Sequence, residues 1–176
     1  MSKHVPHARM KTFVSVAGAA LSLAFGSAVH ADNVAQQTIS FSIANISEIE
    51  VAGGTVALNV VAPTAGAAPS AATATSTYDI TTNASTGAKK ITAALENSNM
   101  PAHVTLTVTL AAPTAPTATG TSQGPQTLST SAVDVVTGLQ GAAQTGVLIS
   151  YSLTATVDVP TTTTTTKQVT YTIVDT

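Results

Sequence analysis

Apolar and polar residues alternate along several stretches of the chain. Over residues 103–110 every second residue is Val or Leu, and the residues between them are His or Thr. This period of two is typical of a strand that buries one face and exposes the other. The same alternation recurs over residues 147–157 and 169–173. All three stretches are therefore predicted to be strands.

Weaker patterns predict further strands, loops and one ambiguous stretch. The additional predicted strands are residues 38–43, 46–51, 55–61, 77–82 and Lys89–Leu95. Pro-, Ala-, Ser- and Thr-rich compositions predict loops over residues 62–76, 111–126 and 161–166. Residues 127–139 fit a short helix or a strand, with a preference for strand or irregular structure. The last two well-patterned strands are expected to pair as a terminal hairpin, residues 147–159 with residues 167–174.

These elements predict an all-β chain. The region after residue 31 is rich in Thr, Val, Ala and Ser and is interrupted by Gly and Pro, a composition favoured in strands and turns. Eight or nine short antiparallel strands without a long helix favour a single β-sandwich, either immunoglobulin-like or jelly-roll-like.

The first 31 residues have the pattern of a secretory signal peptide. Lys3, Arg9 and Lys11 precede an uncharged run over residues 12–25, and small residues follow as far as Ala31. The apolar run is shorter than the roughly 20 residues that a membrane-spanning helix needs. Cleavage after Ala31 is therefore expected.

The predicted organisation is a signal peptide over residues 1–31 and one β-sandwich domain over residues 32–176. The protein is expected to be exported to the cell surface or the extracellular medium, with the periplasm as the alternative, and to keep no membrane span after cleavage. The chain has no Cys, so its core must hold without disulfides. The mature region carries three Lys against eight Asp and Glu, a net charge of −5, which argues against nucleic acid as a partner.

The mature region has few residues of the types that commonly act in catalysis. His103 is its only His and lies at a predicted strand end, where a solvated role is expected. The carboxylates are scattered, apart from Glu48 and Glu50, which share one face of a predicted strand and are expected to protect a sheet edge. Lys89 and Lys90 are expected to be solubilising. The prediction is a protein that is not an enzyme, without catalytic residues, metal ligands or cofactors.

Aromatic and Thr residues bear on ligand binding. Phe41, Tyr151 and Tyr171 share parity with the apolar residues of their strands and are predicted to lie in the core. Tyr78 is less certain and is the candidate contact for a ligand such as a sugar ring. Outward-facing Thr residues are a lower-ranked candidate for a flat, ice-binding surface. They are Thr105, Thr107, Thr109, Thr154, Thr156, Thr170 and Thr172.

Three segments resemble small bacterial exported β-sandwich subunits of the pilus and spore-coat-like type. They are residues 37–43 (QTISFSI), residues 78–83 (YDITTN) and residues 169–173 (VTYTI), together with the leader. The resemblance implies a secreted or cell-surface structural or adhesive protein, threonine-rich and fimbria-like, that associates with itself. In such families an alternating N-terminal segment completes a neighbouring subunit by strand addition. Here Ile39, Phe41 and Ile43 would form the inserted face.

Two alternatives stay open. The stretch before Thr38 makes only a short donor arm, which favours residues 38–43 pairing within their own domain as a first strand. For function, the alternative is an extracellular carbohydrate-binding module. The expected partner is accordingly a second copy of the chain, or an extracellular glycan or protein surface.

Overall fold

A computed structural model describes residues 34–61, 64–83, 88–159 and 165–176. The chain divides into a unit of residues 1–41 and a unit of residues 42–176. The predicted signal peptide lies outside the described residues. Within the described ranges no helix has the length and apolar character needed to cross a membrane.

The second unit contains eight strands and, in the described residues, no helix. The strands are β1 (Ser47–Val51), β2 (Ala72–Thr82), β3 (Lys89–Leu95), β4 (Val104–Leu110), β5 (Pro116–Ser122), β6 (Gln126–Thr127), β7 (Val133–Ala155) and β8 (Val169–Asp175). They form one antiparallel sheet that nearly closes on itself. The all-β, antiparallel prediction is confirmed.

Strand β7 organises this sheet. Its first half pairs with β3 and β5, and its second half pairs with β2 and β4. Beyond these pairs, β1 extends the sheet from β2, β8 extends it from β3, and β6 adds to β4. A strand of 23 residues thus supplies ladder partners to four others.

Glycines allow β7 to bend along its length. Gly138 has φ 66° and lies where Thr137 and Gly138 together oppose one residue of β3. Gly146 has φ 68° and lies at a second bulge, where its N–H donates to Oδ1 of Asp79 across 2.8 Å. Because each extra residue moves the following side chains to the other face, the buried positions of β7 change parity.

The core fills the interior of the sheet. Its buried members come from β2, β3, β4 and β7 and from the segment after β6: Tyr78, Ile80, Ile91, Ala93, Leu95, Leu106, Val108, Leu110, Leu128, Val135, Val136, Leu139, Ala142, Val147, Ile149 and Tyr151. On β3 and β4 the buried residues follow the predicted period of two. The predicted inward position of Tyr151 is confirmed, and Tyr171 is half-buried against the same core.

Several predicted boundaries are wrong. Strand β2 begins at Ala72 and β5 covers 116–122, so both lie partly or wholly inside stretches predicted as loops. Strand β2 has a long ladder with β7, and β5 has a shorter one interrupted by two register shifts. This tertiary pairing outweighs a loop-like composition. Residues 127–139 contain no helix and include the start of β7.

The predicted terminal hairpin is also wrong. Strand β8 pairs with β3 along all seven of its residues, from Lys89 opposite Asp175 to Leu95 opposite Val169. The second half of β7 already has β2 and β4 on its two edges, so it has no free edge for β8. Part of the oligo-Thr tract, residues 161–164, lies outside the described residues.

Two tyrosine hydroxyls meet beside the core. Their burial predicts that the folded protein loses stability at alkaline pH. Oη of Tyr151 lies 2.9 Å from Oη of Tyr171, and burial raises the pKa of both side chains. The unfolded chain releases these protons from about pH 10, whereas the folded chain retains them to higher pH. Stability should therefore be complete below pH 10 and fall above it, by about 1.4 kcal/mol per pH unit for each such tyrosine.

Urea unfolding between pH 8 and pH 12 measures this slope. Tyr171→Phe should make the alkaline slope shallower, since one of the shifted groups is gone. Equal slopes for the wild type and the variant would contradict the argument.

Candidate functional site

An apolar segment lies outside the sheet and is exposed. Residues 34–46 belong to no strand, and within them Ile39, Phe41 and Ile43 are 78%, 86% and 76% exposed. We call residues 37–43 the arm. The predicted strand over residues 38–43 is wrong, because the described residues 34–46 belong to no strand, and Phe41, predicted to lie in the core, is exposed. The alternation is present in the sequence, but the segment has no ladder partner, so its apolar face remains in water.

The residues directly after the arm are held by Asn83 at the end of β2. The Asn83 Nδ2 group donates to the carbonyl oxygen of Ala44 across 2.9 Å, and Oδ1 accepts from the N–H of Ile46 across 3.1 Å. One amide side chain thus satisfies a donor and an acceptor two residues apart, as a neighbouring strand would. These two bonds hold Ala44 and Ile46 at the end of β2.

Lys89 holds the same stretch from the other side. Its ammonium is 1% exposed and donates to Oδ1 of Asn45 (2.8 Å), Oγ of Ser47 (2.7 Å) and Oδ1 of Asp175 (3.0 Å). Three acceptors match the three donors of an ammonium, so the buried charge is fully hydrogen-bonded. We call Asn83 and Lys89, with the groups that they bind at residues 44–47 and 175, the anchor.

The expectation that Lys89 is solubilising is wrong. Lys89 shares parity with Ile91 and Ala93 on β3, and all three are buried. That parity was available in the sequence and was the signal for an inward position. Lys90 has the opposite parity, is 31% exposed and pairs with Asp134 at 3.0 Å.

Strand β1 lies at an edge of the sheet. Among the strands that the structure describes, its ladder partner is β2. Glu48 and Glu50 are exposed, whereas Ile49 and Val51 are half-buried against the core. The predicted placement of the two carboxylates on one outward face is confirmed, and charges at such a position oppose indiscriminate edge pairing.

Tyr78 lies in the core. Its exposed fraction is 0%, and its hydroxyl donates to the carbonyl oxygen of Ala111 across 2.6 Å. Burial raises the pKa of this phenol. Tyr78 has the same parity on β2 as Ile80, and both side chains lie on the inner face with Val147.

Hydroxyl side chains line a depression of about 500 Å³ on the outer face of β2, β7 and β4. We call it the hydroxyl groove. In register across the three strands, Thr73, Ser152 and Thr107 form one row, and Thr75, Ser150 and Thr109 form a second. Pro125 closes one side, and none of the lining residues is charged. Hydroxyls on adjacent strands thus repeat at about 4.8 Å.

The predicted Thr array is realised in part. Thr105 lies opposite Thr154 in the same β4–β7 ladder as the groove. Thr170 and Thr172 belong to the β3–β8 ladder, and Thr156 follows the end of β7. Sequence reasoning missed the serines of β7 and the threonines of β2, because only the fold reveals that these strands are neighbours.

The remaining feature to place is the pattern of His, Asp and Glu side chains in the described ranges. His103 is exposed with φ 65° in the turn before β4. Among residues 34–61, 64–83, 88–159 and 165–176, no three His, Asp or Glu side chains are placed to share a metal ion.

Comparisons of the chain with protein-family models, with curated proteins and with solved structures find no match. Function is therefore inferred from the arm, the anchor and the hydroxyl groove.

Replacing Lys89 tests the anchor. Lys89→Met keeps much of the side-chain volume but removes three charge-assisted hydrogen bonds, and we expect a loss of about 2–3 kcal/mol in the free energy of unfolding. Lys90→Met is the matched control, since it removes the neighbouring, more exposed ion pair, and it should cost at most about 1 kcal/mol. Urea unfolding of both variants measures the difference. Equal losses would contradict a structural role specific to Lys89.

Proposed function

We propose that the protein is an exported surface-structural subunit that associates with itself through strand addition. The observation that carries this proposal is the arm, in which three large apolar side chains alternate with Ser and all three are exposed. An extended segment of this kind is suited to pair with a sheet edge of another molecule, where backbone hydrogen bonds supply affinity and alternate side chains fill apolar positions.

Burial of the arm supplies the driving force. Each large apolar side chain contributes about 1.5–3 kcal/mol when it is fully removed from water. Ile39, Phe41 and Ile43 together provide several kcal/mol towards the cost of association, and the ladder adds backbone hydrogen bonds. In an isolated chain these side chains stay exposed to water, so this stabilisation is absent.

The anchor supports the same function. Asn83 and Lys89 fix the chain at residues 44–47, directly after the arm in the sequence. Less conformational freedom is then lost when the arm becomes ordered on a partner, because its last residue adjoins a stretch that is already held. A short donor segment benefits most from such pre-organisation.

Two further elements of the proposal concern the fold and the location. A sandwich is the arrangement we propose for the eight strands, since the first half of β7 pairs with β3 and β5 and the second half pairs with β2 and β4. Export is supported by the basic and apolar pattern of residues 1–31. A structural role without catalysis is in keeping with the scattered titratable side chains of the described residues.

The arm can be tested with a charge placed on its apolar face. In the chain recovered after export, Phe41→Asp should weaken self-association by at least about 100-fold, equivalent to about 2.7 kcal/mol, because a carboxylate replaces a buried ring. Ser42→Asp is the matched control: it adds the same charge one residue along, on the polar face, and should leave association within about threefold of wild type. Light scattering after size-exclusion chromatography measures the mass of the assembled species. Gel electrophoresis in detergent shows whether multimers of increasing size resist dissociation.

Wild-type chain that stays monomeric at every concentration would overturn the proposal. So would assembly that Phe41→Asp and Ser42→Asp affect equally. Circular dichroism of each variant separates a loss of association from a loss of folding.

The hydroxyl groove favours a second candidate function, the binding of an extracellular carbohydrate. Its uncharged rows of Thr and Ser offer donors and acceptors to a neutral polyhydroxylated ligand. The aromatic platform common at sugar sites is not supplied by Tyr78, which is buried. The same rows are the basis of the lower-ranked proposal, an ice-binding surface, in which regularly spaced hydroxyls order water.

Removal of one groove hydroxyl tests this candidate. Thr75→Val keeps the shape of the side chain and should weaken binding of a neutral glycan about fivefold, the equivalent of one hydrogen bond of about 1 kcal/mol. Thr105→Val is the control, because Thr105 faces the same side of β4 but does not line the groove. A glycan array identifies the ligand and calorimetry measures its affinity. Absence of binding to every neutral glycan would exclude this second function.

A further inference from the structure

A second alternating segment covers part of the core without belonging to the sheet. Residues 55–60 follow β1 after Gly54, and Val56, Leu58 and Val60 are half-buried while Thr55, Ala57 and Asn59 are exposed. Val56 and Leu58 pack against the core cluster. In the described residues, no backbone hydrogen bond joins this segment to any strand. We call residues 55–60 the cover.

The prediction of a strand over residues 55–61 is wrong, because these residues belong to no strand. The side chains alternate as in a strand, but the backbone has no ladder. Side-chain burial holds residues 55–60, and directly after them the carbonyl oxygen of Val61 accepts from the N–H of Ser70, which lies outside the strands, across 3.1 Å. A segment without a ladder belongs to the less stable parts of a fold.

The arm and the cover have the same pattern. Residues 38–43 read Thr-Ile-Ser-Phe-Ser-Ile, and residues 55–60 read Thr-Val-Ala-Leu-Asn-Val. Both place three apolar residues at alternate positions after a Thr. Each apolar side chain of the arm is at least as large as its counterpart in the cover, so the arm can bury more apolar surface on the same kind of face.

We propose that the cover is a placeholder strand, which the arm of a second copy of the chain displaces from the core. This inference rests on strand addition as the proposed function and names its acceptor. On displacement, the apolar face of the incoming arm, Ile39, Phe41 and Ile43, replaces Val56 and Leu58 over the core and takes the place of the half-buried Val60. Strand β1 precedes the cover and, among the described strands, has ladder partners on β2. Its other edge approaches β8 without a ladder near Ser47 and Asp175, which both accept from Lys89, so the proposed acceptor is that edge beyond Ser47.

The physical advantage is control of assembly. A core left bare after export would aggregate through its apolar surface, and the cover prevents this without forming the ladder that would make it permanent. The incoming arm buries apolar side chains and forms backbone hydrogen bonds. The cover loses only its side-chain contacts when it detaches. Exchange is therefore favourable, and its rate depends on how often the cover detaches.

A single thiol tests the displacement, since the natural chain has no Cys. The full chain recovered after export carries Phe41→Asp, so that its own arm does not compete, together with Leu58→Cys. A fluorescent synthetic peptide of residues 37–43 acts as the donor. On saturation with peptide, the rate of maleimide labelling at position 58 should rise at least about fivefold, because the thiol leaves its half-buried position.

Ala57→Cys in the same background is the matched control. Ala57 is already exposed, so its labelling rate should stay within about twofold when the peptide binds. Circular dichroism verifies that both cysteine variants are folded. Fluorescence anisotropy measures binding of the peptide independently of the thiol.

The outcomes separate the two proposals. Peptide binding with faster labelling at position 58 supports displacement of the cover. Peptide binding with unchanged labelling overturns the cover as acceptor and leaves strand addition standing. Absence of peptide binding to folded chain overturns both, because the arm then has no acceptor on a second copy.

Discussion

The fold depends on the length of β7. One strand of 23 residues runs through the sheet and offers both of its edges to four neighbours in turn. A straight strand of that length would leave the core at one end, so β7 bends at glycines with positive φ, where each bulge also changes which side chains face inward. Asp79 caps one of these bulges by accepting from the N–H of Gly146. The buried cluster exists because β7 brings β2, β3 and β4 around the same interior.

Strand edges that are already paired limit which partners the remaining segments can have. Since β2 and β4 take both edges of the second half of β7, β8 pairs with β3 instead, and the carboxylate of Asp175 then reaches Lys89. Lys89 and Asn83 together hold the chain before β1. The arm and the cover are left without ladders, one exposed and the other half-buried. The proposed assembly thus uses two alternating segments that are not strands of the sheet.

Much of the fold class was predictable, and much of the candidate site was not. Alternation located β3, β4 and β8 and the second half of β7, because one buried face imposes a period of two on the sequence. It failed at β5, whose Pro- and Thr-rich composition resembles a loop, since its ladder with β7 depends on residues distant in sequence. Lys89 was predicted at the surface from its charge, although its parity with Ile91 indicated the interior. The hydroxyl groove required three strands to become neighbours, which no local pattern encodes.

The sequence by itself determined that the described chain is built from antiparallel strands, that no disulfide holds it, and that residues 32–176 carry a net negative charge. These properties follow from residue type and local periodicity. Only the tertiary structure decided which alternating segments became strands. The arm, the cover and β4 share nearly the same pattern, yet only β4 has ladder partners. The physical reason is that alternation specifies a face, whereas a strand also needs a free edge at the right register, and edges are assigned by pairing between residues distant along the chain.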